Sequence, residues 1–213
     1  MATYHYEIEQ NTPEWDRLRL GRITGSKSDL LLVNGKHESG LGSGALTYAR
    51  KKAAEWITGN NPYTWVGNQY TDRGHDLEYL AVTEYEDQTF ENATKVGFVE
   101  LNAYAGTSPD RLINDNGGLE VKCLEQEQHL RIIDQGRDAI DKPYLAQIQW
   151  NMWICEREWW DMAYYHPKFM DKKLIVIRIE PDPKMVSKFK TGLTAFEAEV
   201  NRLIDLVAIP ELI

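Results

Sequence analysis

The sequence predicts a mixed α/β or α+β fold, a central mixed β-sheet flanked by helices, built as one domain over residues 1–213. Three observations carry that expectation. Apolar residues recur at helical spacing up to residue 90 and again after residue 183, whereas between residues 96 and 124 they alternate as in strands. Asn114-Asp115-Asn116-Gly117-Gly118 interrupts the alternating stretch with residues that tolerate the positive φ of a hairpin turn. No linker, low-complexity segment or internal repeat divides the chain.

Thr12-Pro13-Glu14 opens the first helix. A hydroxyl cap is followed by proline at the first helical position, where its missing N–H costs nothing. A second start at Thr24 to Ser26 leads into Leu30, Leu31 and Leu32, and the Gly-, Ser- and charge-rich residues 34–44 form a loop. Ser43 is expected to cap a helix that runs to Thr58 and stops at Gly59. After a turn at residues 60–63, a longer helix covers residues 68–90, with Leu77, Leu80, Ala81 and Tyr85 at helical spacing. Val96, Phe98 and Glu100 alternate with Gly97, Val99 and Leu101 in a strand. Residues 106–113 and 119–124 form two more strands around the hairpin turn. A helix over residues 142–155 starts near Pro143, strands follow at 158–165 and 174–180, and a closing helix from Pro183 carries Phe189, Leu193, Phe196, Val200 and Leu203.

Composition narrows the function. At 42% hydrophobic and 27% charged residues the chain is globular, not disordered, collagen-like or coiled-coil. Its 24 Lys and Arg against 33 Asp and Glu give a formal charge of −9, so bulk electrostatics do not mark an open nucleic-acid binder. No apolar run approaches a membrane span and no apolar signal segment opens the chain, so a cytoplasmic protein with no membrane partner is expected. Cys123 and Cys155, with no Cys-x-x-Cys, argue against a disulfide scaffold or a zinc knuckle. Seven Trp and eleven Tyr predict an aromatic core, a stacking surface or an interface.

Two glycine-rich segments imitate nucleotide sites. Gly21-Arg22-Ile23-Thr24-Gly25-Ser26-Lys27-Ser28 is one residue short of a phosphate loop and follows a helix instead of a strand. Gly40-Leu41-Gly42-Ser43-Gly44 has no preceding strand. His5, His37, His75, His129 and His166 never fall at the i, i+4 spacing of a zinc helix.

The informative segment is Ser108-Pro109-Asp110 followed by Gly118-Leu119-Glu120-Val121-Lys122. On a strand, Glu120 and Lys122 project from one face. A turn centred near Asp115 sets Asp110 opposite Glu120. Two close carboxylates repel unless they share a cation, and oxygen-only ligands, with the Val121 backbone carbonyl as a third, suit Mg²⁺ or Mn²⁺. Such a metal can activate water and neutralise a phosphodiester, with Lys122 orienting or deprotonating that water or stabilising developing charge. From spacing alone, an ordinary cross-strand ion pair on a solvated face is the favoured description.

Further segments extend the pattern: Leu18-Arg19-Leu20-Gly21-Arg22-Ile23-Thr24-Gly25-Ser26, Gly74-His75-Asp76-Leu77-Glu78, Ser108-Pro109-Asp110-Arg111-Leu112, Gly118-Leu119-Glu120-Val121-Lys122-Cys123, and Tyr144-Leu145-Ala146-Gln147-Ile148-Gln149-Trp150-Asn151-Met152-Trp153. Asp110 with Glu120-x-Lys122 resembles the PD-(D/E)xK nuclease signature. The five segments, in order over most of residues 15–166, resemble the phage lambda exonuclease family of alkaline 5′-to-3′ double-strand DNA exonucleases. The resemblance implies a restriction-endonuclease-like core around the sheet. It implies Asp110 and Glu120 as metal ligands, Lys122 as the catalytic lysine, and Glu78 completing the acidic site directly or through a water. Gln147 would lie beside the scissile or terminal phosphate, and Arg19, Ser26 and Ser108 match positions that bind DNA phosphate, including a terminal 5′-phosphate; Arg22, at a place where the family is not restricted to Arg, is grouped with them. Gln149, on another helix face, is read as structural.

The expectation that follows is a Mg²⁺-dependent 5′-to-3′ exonuclease on double-stranded DNA ends, with Mn²⁺ able to substitute. It would release mononucleotides and leave 3′ single-stranded tails for recombination. The resemblance also implies a ring-shaped homotrimer, which would need less bulk positive charge than an open binder, and a single-strand annealing protein as partner. Local basic clusters at Arg17, Arg19, Arg22 and Lys27, and at Arg50, Lys51 and Lys52, suit DNA contact or a solvated helix face. Rival readings are an endonuclease on the same fold and a non-catalytic DNA-end-binding module. A pure binder has no need of a repulsive acidic pair.

Overall fold

The computed structural model describes residues 1–61 and 69–207, and for residues 69–76 the backbone alone. In chain order the elements are β1 (Thr3–His5), α1 (Pro13–Arg19), a 3-10 helix (Gly25–Leu32), α2 (Ser43–Thr58), α3 (Gln69–Thr89), β2 (Ala93–Thr94), β3 (Phe98–Glu100), β4 (Gly106–Thr107), β5 (Arg111–Ile113), β6 (Gly117–Cys123), α4 (Gln126–Gln135), α5 (Lys142–Ile154), β7 (Trp159–Tyr165), β8 (Leu174–Ile179) and α6 (Pro183–Asp205). Part of the turn expected at residues 60–63, and the helix start expected at residue 68, lie outside the described residues.

Local chemistry explains most boundaries. The Thr12 hydroxyl accepts from Trp15 N and Pro13 opens α1, as expected. The stretch into Leu30–Leu32 is 3-10 and not α-helical. Gly42, not Ser43, is the N-cap of α2. Ser43 is its first helical residue, and Gly59 closes it at φ 66.

The strand expected over residues 106–113 divides into β4 and β5, which belong to different sheets. One sheet has three strands in the order β1-β3-β4, the other five in the order β2-β5-β6-β7-β8. The break falls at Ser108-Pro109-Asp110, where proline has no N–H to give a ladder. β1, β2 and α4 were not expected from the sequence: two strands of two or three residues, and a ten-residue helix with few apolar side chains.

The larger sheet is mixed. β6 and β7 run parallel, with Glu120 paired to Met162, and the remaining pairs are antiparallel. Helices cover both faces. Leu119, Val121, Ala163 and Tyr165 pack with Ala81, Val82 and Tyr85 of α3. Trp160, Met162 and Tyr164 join Ile148, Trp150 and Met152 of α5 and Phe189 and Phe196 of α6 in the main core. Leu80, expected on the buried face of α3, is 46% exposed. Among the described residues no helix is long and apolar enough to cross a membrane.

Candidate active site

The period-two alternation of β6 decides what meets what. Leu119 and Val121 face α3, so Glu120 and Lys122 face α5. Glu120, only 2% exposed, takes Lys122 Nζ on Oε1 at 2.6 Å. Gln147 and Asn151, four residues apart on α5 and hence on one helical face, reach the same carboxylate. Gln147 Nε2 donates to Oε1 at 2.7 Å and Asn151 Nδ2 to Oε2 at 3.4 Å.

β5 and β6 pair Arg111 with Leu119, Leu112 with Gly118 and Ile113 with Gly117, the register that the turn predicted. Asp110, just before β5, is half-buried and its Oδ2 accepts the Val121 N–H at 2.7 Å. Burial first, then the Glu120 charge, raises its carboxyl from an ordinary 3.8 to about 8, against the pull of Lys122. Burial alone would lower Lys122, but Glu120 and Asp110 together hold it above the usual lysine range. The ammonium lies 5.1 Å from the centre of the Tyr144 ring, a cation–π distance.

Glu78 makes no hydrogen bond to Asp110, Glu120 or Lys122, but its charge helps raise the Asp110 carboxyl. Its Oε1 accepts from Arg111 Nη1 at 2.8 Å. Among the described residues no three His, Cys, Asp or Glu side chains gather closely enough to hold a metal ion. The donor set is two carboxylates beside the Val121 backbone. It is all oxygen, and it suits a hard divalent cation of the kind that keeps several waters and needs only one or two carboxylates.

A second group lies along α1. Trp15 and Arg19 are one turn apart, and the Arg19 guanidinium sits 3.9 Å over the Trp15 ring. Trp15 Nε1 donates to Ser108 Oγ at 2.9 Å and to the Gly97 carbonyl at 3.0 Å, and Arg19 Nη1 reaches Ser108 Oγ at 3.5 Å. Burial lowers the Arg19 pKa from the ordinary arginine value.

Gly25 brings the 3-10 helix against α5. A Cβ there would stand 2.8 Å from Asn151 Oδ1 and 3.2 Å from Gln147 Cγ, so glycine permits the approach that sets exposed Ser26 next to this face. Arg22 turns elsewhere, to Glu100 at 2.8 Å and to the Leu18 and Asn102 carbonyls. Lys52, from the second basic cluster, is buried against Glu55 at 2.8 Å. Gln149 bonds the Glu180 carbonyl and the Asp182 N–H, bracing the chain into α6, in keeping with its structural reading.

Sequence reasoning missed Asn151, Arg111, Trp15 and Tyr144. Asn151 had a usable signal, the i, i+4 spacing from Gln147. Arg111 had none, because its partner is 33 residues away.

Residues 14–158 match the YqaJ-like viral recombinase domain. This chain belongs to that family. Escherichia coli strain K12 protein ExoD is 33% identical over 69 residues, which span 32% of this chain and 79% of ExoD. The crystal structure of the alkaline exonuclease LHK-Exo from Laribacter hongkongensis superposes with a TM-score of 0.79 at 29% identity, covering 92% of this chain and 96% of that one. Its complex with dAMP gives 0.80 at 28% identity over the same shares. A phage-related exonuclease from Haemophilus somnus 129PT shares the fold alone, with TM-score 0.68 and 16% identity over 88% of this chain and 96% of that one. The mixed sheet flanked by helices is thus the exonuclease fold of LHK-Exo, as the sequence predicted.

Proposed function

We propose that this viral recombinase family member is a nuclease, and that it degrades one strand of linear double-stranded DNA from the 5′ end to mononucleotides, leaving 3′ tails for strand annealing. The observation that carries the reading is the pairing of Asp110 and Glu120 on adjacent chain segments with Lys122 at 2.6 Å, in a fold shared with an alkaline exonuclease that has been crystallised with dAMP. A scaffold gains nothing from an acidic pair that raises Asp110 to about 8.

Asp110, Glu120 and the Val121 carbonyl would hold Mg²⁺, with Mn²⁺ as a substitute. Such an ion supplies a Lewis acid and neutralises the phosphodiester charge. The chain's own groups do the rest. Gln147 and Asn151 fix the Glu120 carboxylate so that its oxygens stay aimed as ligands. Lys122, held as an ammonium by Glu120 and Asp110, is suited to stabilise charge on the phosphate. Arg19, Ser108 and Ser26 form the end-binding side, where Trp15 orients both Arg19 and Ser108. Arg22, committed to Glu100, contributes through the frame of that pocket more than by direct contact.

The reading includes one nuclease domain over residues 1–213, a homotrimeric ring around the duplex, an annealing partner on the 3′ tail and a cytoplasmic setting. Incubation with linear and covalently closed circular duplex, with Mg²⁺ or EDTA, tests it. Mononucleotides from the linear substrate alone, and only with metal, are expected. Cutting of the circle would favour the endonuclease reading. Full activity in EDTA after metal stripping would remove the metal mechanism.

A further inference from the structure

Tyr144 stands in the first turn of α5, directly after Pro143, and its N–H donates to the Asp141 carbonyl at 2.9 Å. The rigid start of a helix therefore sets its ring. Three residues on and on the same helical face, Gln147 bonds Glu120 Oε1, so one helix end meets both members of the Glu120–Lys122 pair. Gln147 takes the carboxylate, and Tyr144 faces the ammonium at 5.1 Å from its ring centre. Tyr164, only 1% exposed, is the register partner of Lys122 on β7 and projects from the same face of the sheet beside the lysine stem.

Lys122 carries a point charge on a flexible four-carbon stem, and 22% of its side chain is exposed, so its tip must be held to be useful. Without metal, Glu120 holds it at 2.6 Å. A divalent cation on Glu120 would offset that carboxylate and repel the ammonium, loosening the ion pair when the site is loaded. The negative face of an aromatic ring keeps its attraction for a cation whatever Glu120 binds.

We propose that Tyr144 is the positioning residue for Lys122, its ring face seating the ammonium once Glu120 serves the metal. The inference rests on the metal-site reading above. The ring is the working part of Tyr144, and the hydroxyl is not.

Two measurements on the full-length protein test it. In protein carrying ¹³C-lysine, the Lys122 Cε methylene, assigned by its loss in Lys122→Ala, should resonate upfield of the other lysines through the ring current of Tyr144. It should stay there when Mg²⁺ is added, and Tyr144→Leu should abolish the displacement. Cleavage of linear duplex by Tyr144→Leu should lose about 2- to 30-fold in kcat, the scale of a cation–π contact, with KM for the duplex unmoved. Tyr144→Phe restores the ring and should recover most of that loss. Mono-, di- and trifluorophenylalanine at position 144 drain the ring face in steps at nearly constant shape, so kcat should fall in steps with them. A packing role would not follow the fluorine count. Should Tyr144→Leu fail to fold, the fluorinated series decides. A rate flat across that series, a raised KM in place of a lowered kcat, or a Lys122 resonance that leaves the ring on Mg²⁺ addition would overturn the proposal. Lys122→Ala separates the two readings. If it cleaves at the wild-type rate, the metal-site reading itself has failed; if it is inactive while the fluorinated series is flat, only the seat for Lys122 falls.

Discussion

Two aspartates two strands apart, Asp161 buried and Asp110 half-buried, have been given opposite circumstances. Asp161 on β7 is 1% exposed and points at α3, where its charge is answered completely. Its register partner on β8 is Arg178, whose Nε and Nη2 each reach the carboxylate at 2.9 Å, and the Tyr85 hydroxyl adds a third bond at 2.8 Å. The Arg178 guanidinium also lies 3.7 Å over the Trp159 ring. Asp110 has one backbone N–H, a nearby Glu120 and no cationic side chain of its own among the described residues. A fully answered carboxylate is scaffold, here tying α3 to the sheet. An unanswered one beside a second carboxylate is where the proposed metal would complete the charge.

The largest effect that sharpens this contrast is on cleavage. Asp110→Ala should lower metal binding and cleavage together, the latter by at least about 10²–10³-fold, while the melting temperature holds or rises. Asp161→Ala should do the reverse. It orphans Arg178 and Tyr85, and because Arg178 is half exposed the loss is about 2–3 kcal/mol, less than for a fully enclosed pair. Calorimetric melting should fall by roughly 5–10 °C with cleavage at low temperature retained. Equal losses of stability from the two substitutions would erase the distinction.

The end-binding side gives a smaller effect. A forked, charge-assisted contact from Arg19 to a terminal phosphate is worth roughly 1.5–3 kcal/mol, about 10- to 150-fold in rate. 5′-Phosphorylated duplex should therefore be degraded faster than 5′-hydroxyl duplex. Arg19→Ala should remove that preference and Arg19→Lys restore only part of it. A preference undiminished in Arg19→Ala would move end recognition elsewhere.

A further effect is in pH. Asp110 rises from 3.8 to about 8 on folding, so between those values the folded state binds the extra proton and the unfolded state does not. In EDTA this group therefore favours folding fully below about pH 4, and its contribution is lost as pH climbs toward about 8. Asp110→Asn should flatten that slope in a melting series, and saturating Mg²⁺ should do the same for wild type. A slope unchanged in Asp110→Asn would show that Asp110 is already answered.

Much of the site was legible because it is local. The turn at residues 114–116 sets the β5–β6 register, and alternation puts Glu120 and Lys122 on one face, so a dozen residues sufficed. The resemblance supplied Gln147 and Arg19, which spacing alone could not place. The rest was not legible because it is long-range. The Asp161–Arg178 fork joins two strands whose pairing no turn announces, and Arg111–Glu78 links a strand to a helix. The division of residues 106–113 between two sheets turns on Pro109. Arg22 and Lys52 look freely basic in sequence, but in the fold they pair with Glu100 and Glu55.

The central claim, that Asp110 and Glu120 bind the metal while Lys122 serves the chemistry, is tested most directly by Lys122→Ala. Mn²⁺ affinity and cleavage of linear duplex are to be measured on the same preparation. Removing an ammonium 2.6 Å from Glu120 leaves both carboxylates in place, so Mn²⁺ should bind as tightly as in wild type or more tightly, while cleavage falls by at least about 10²-fold. Cleavage at the wild-type rate, or loss of Mn²⁺ binding in a protein that melts normally, would contradict it.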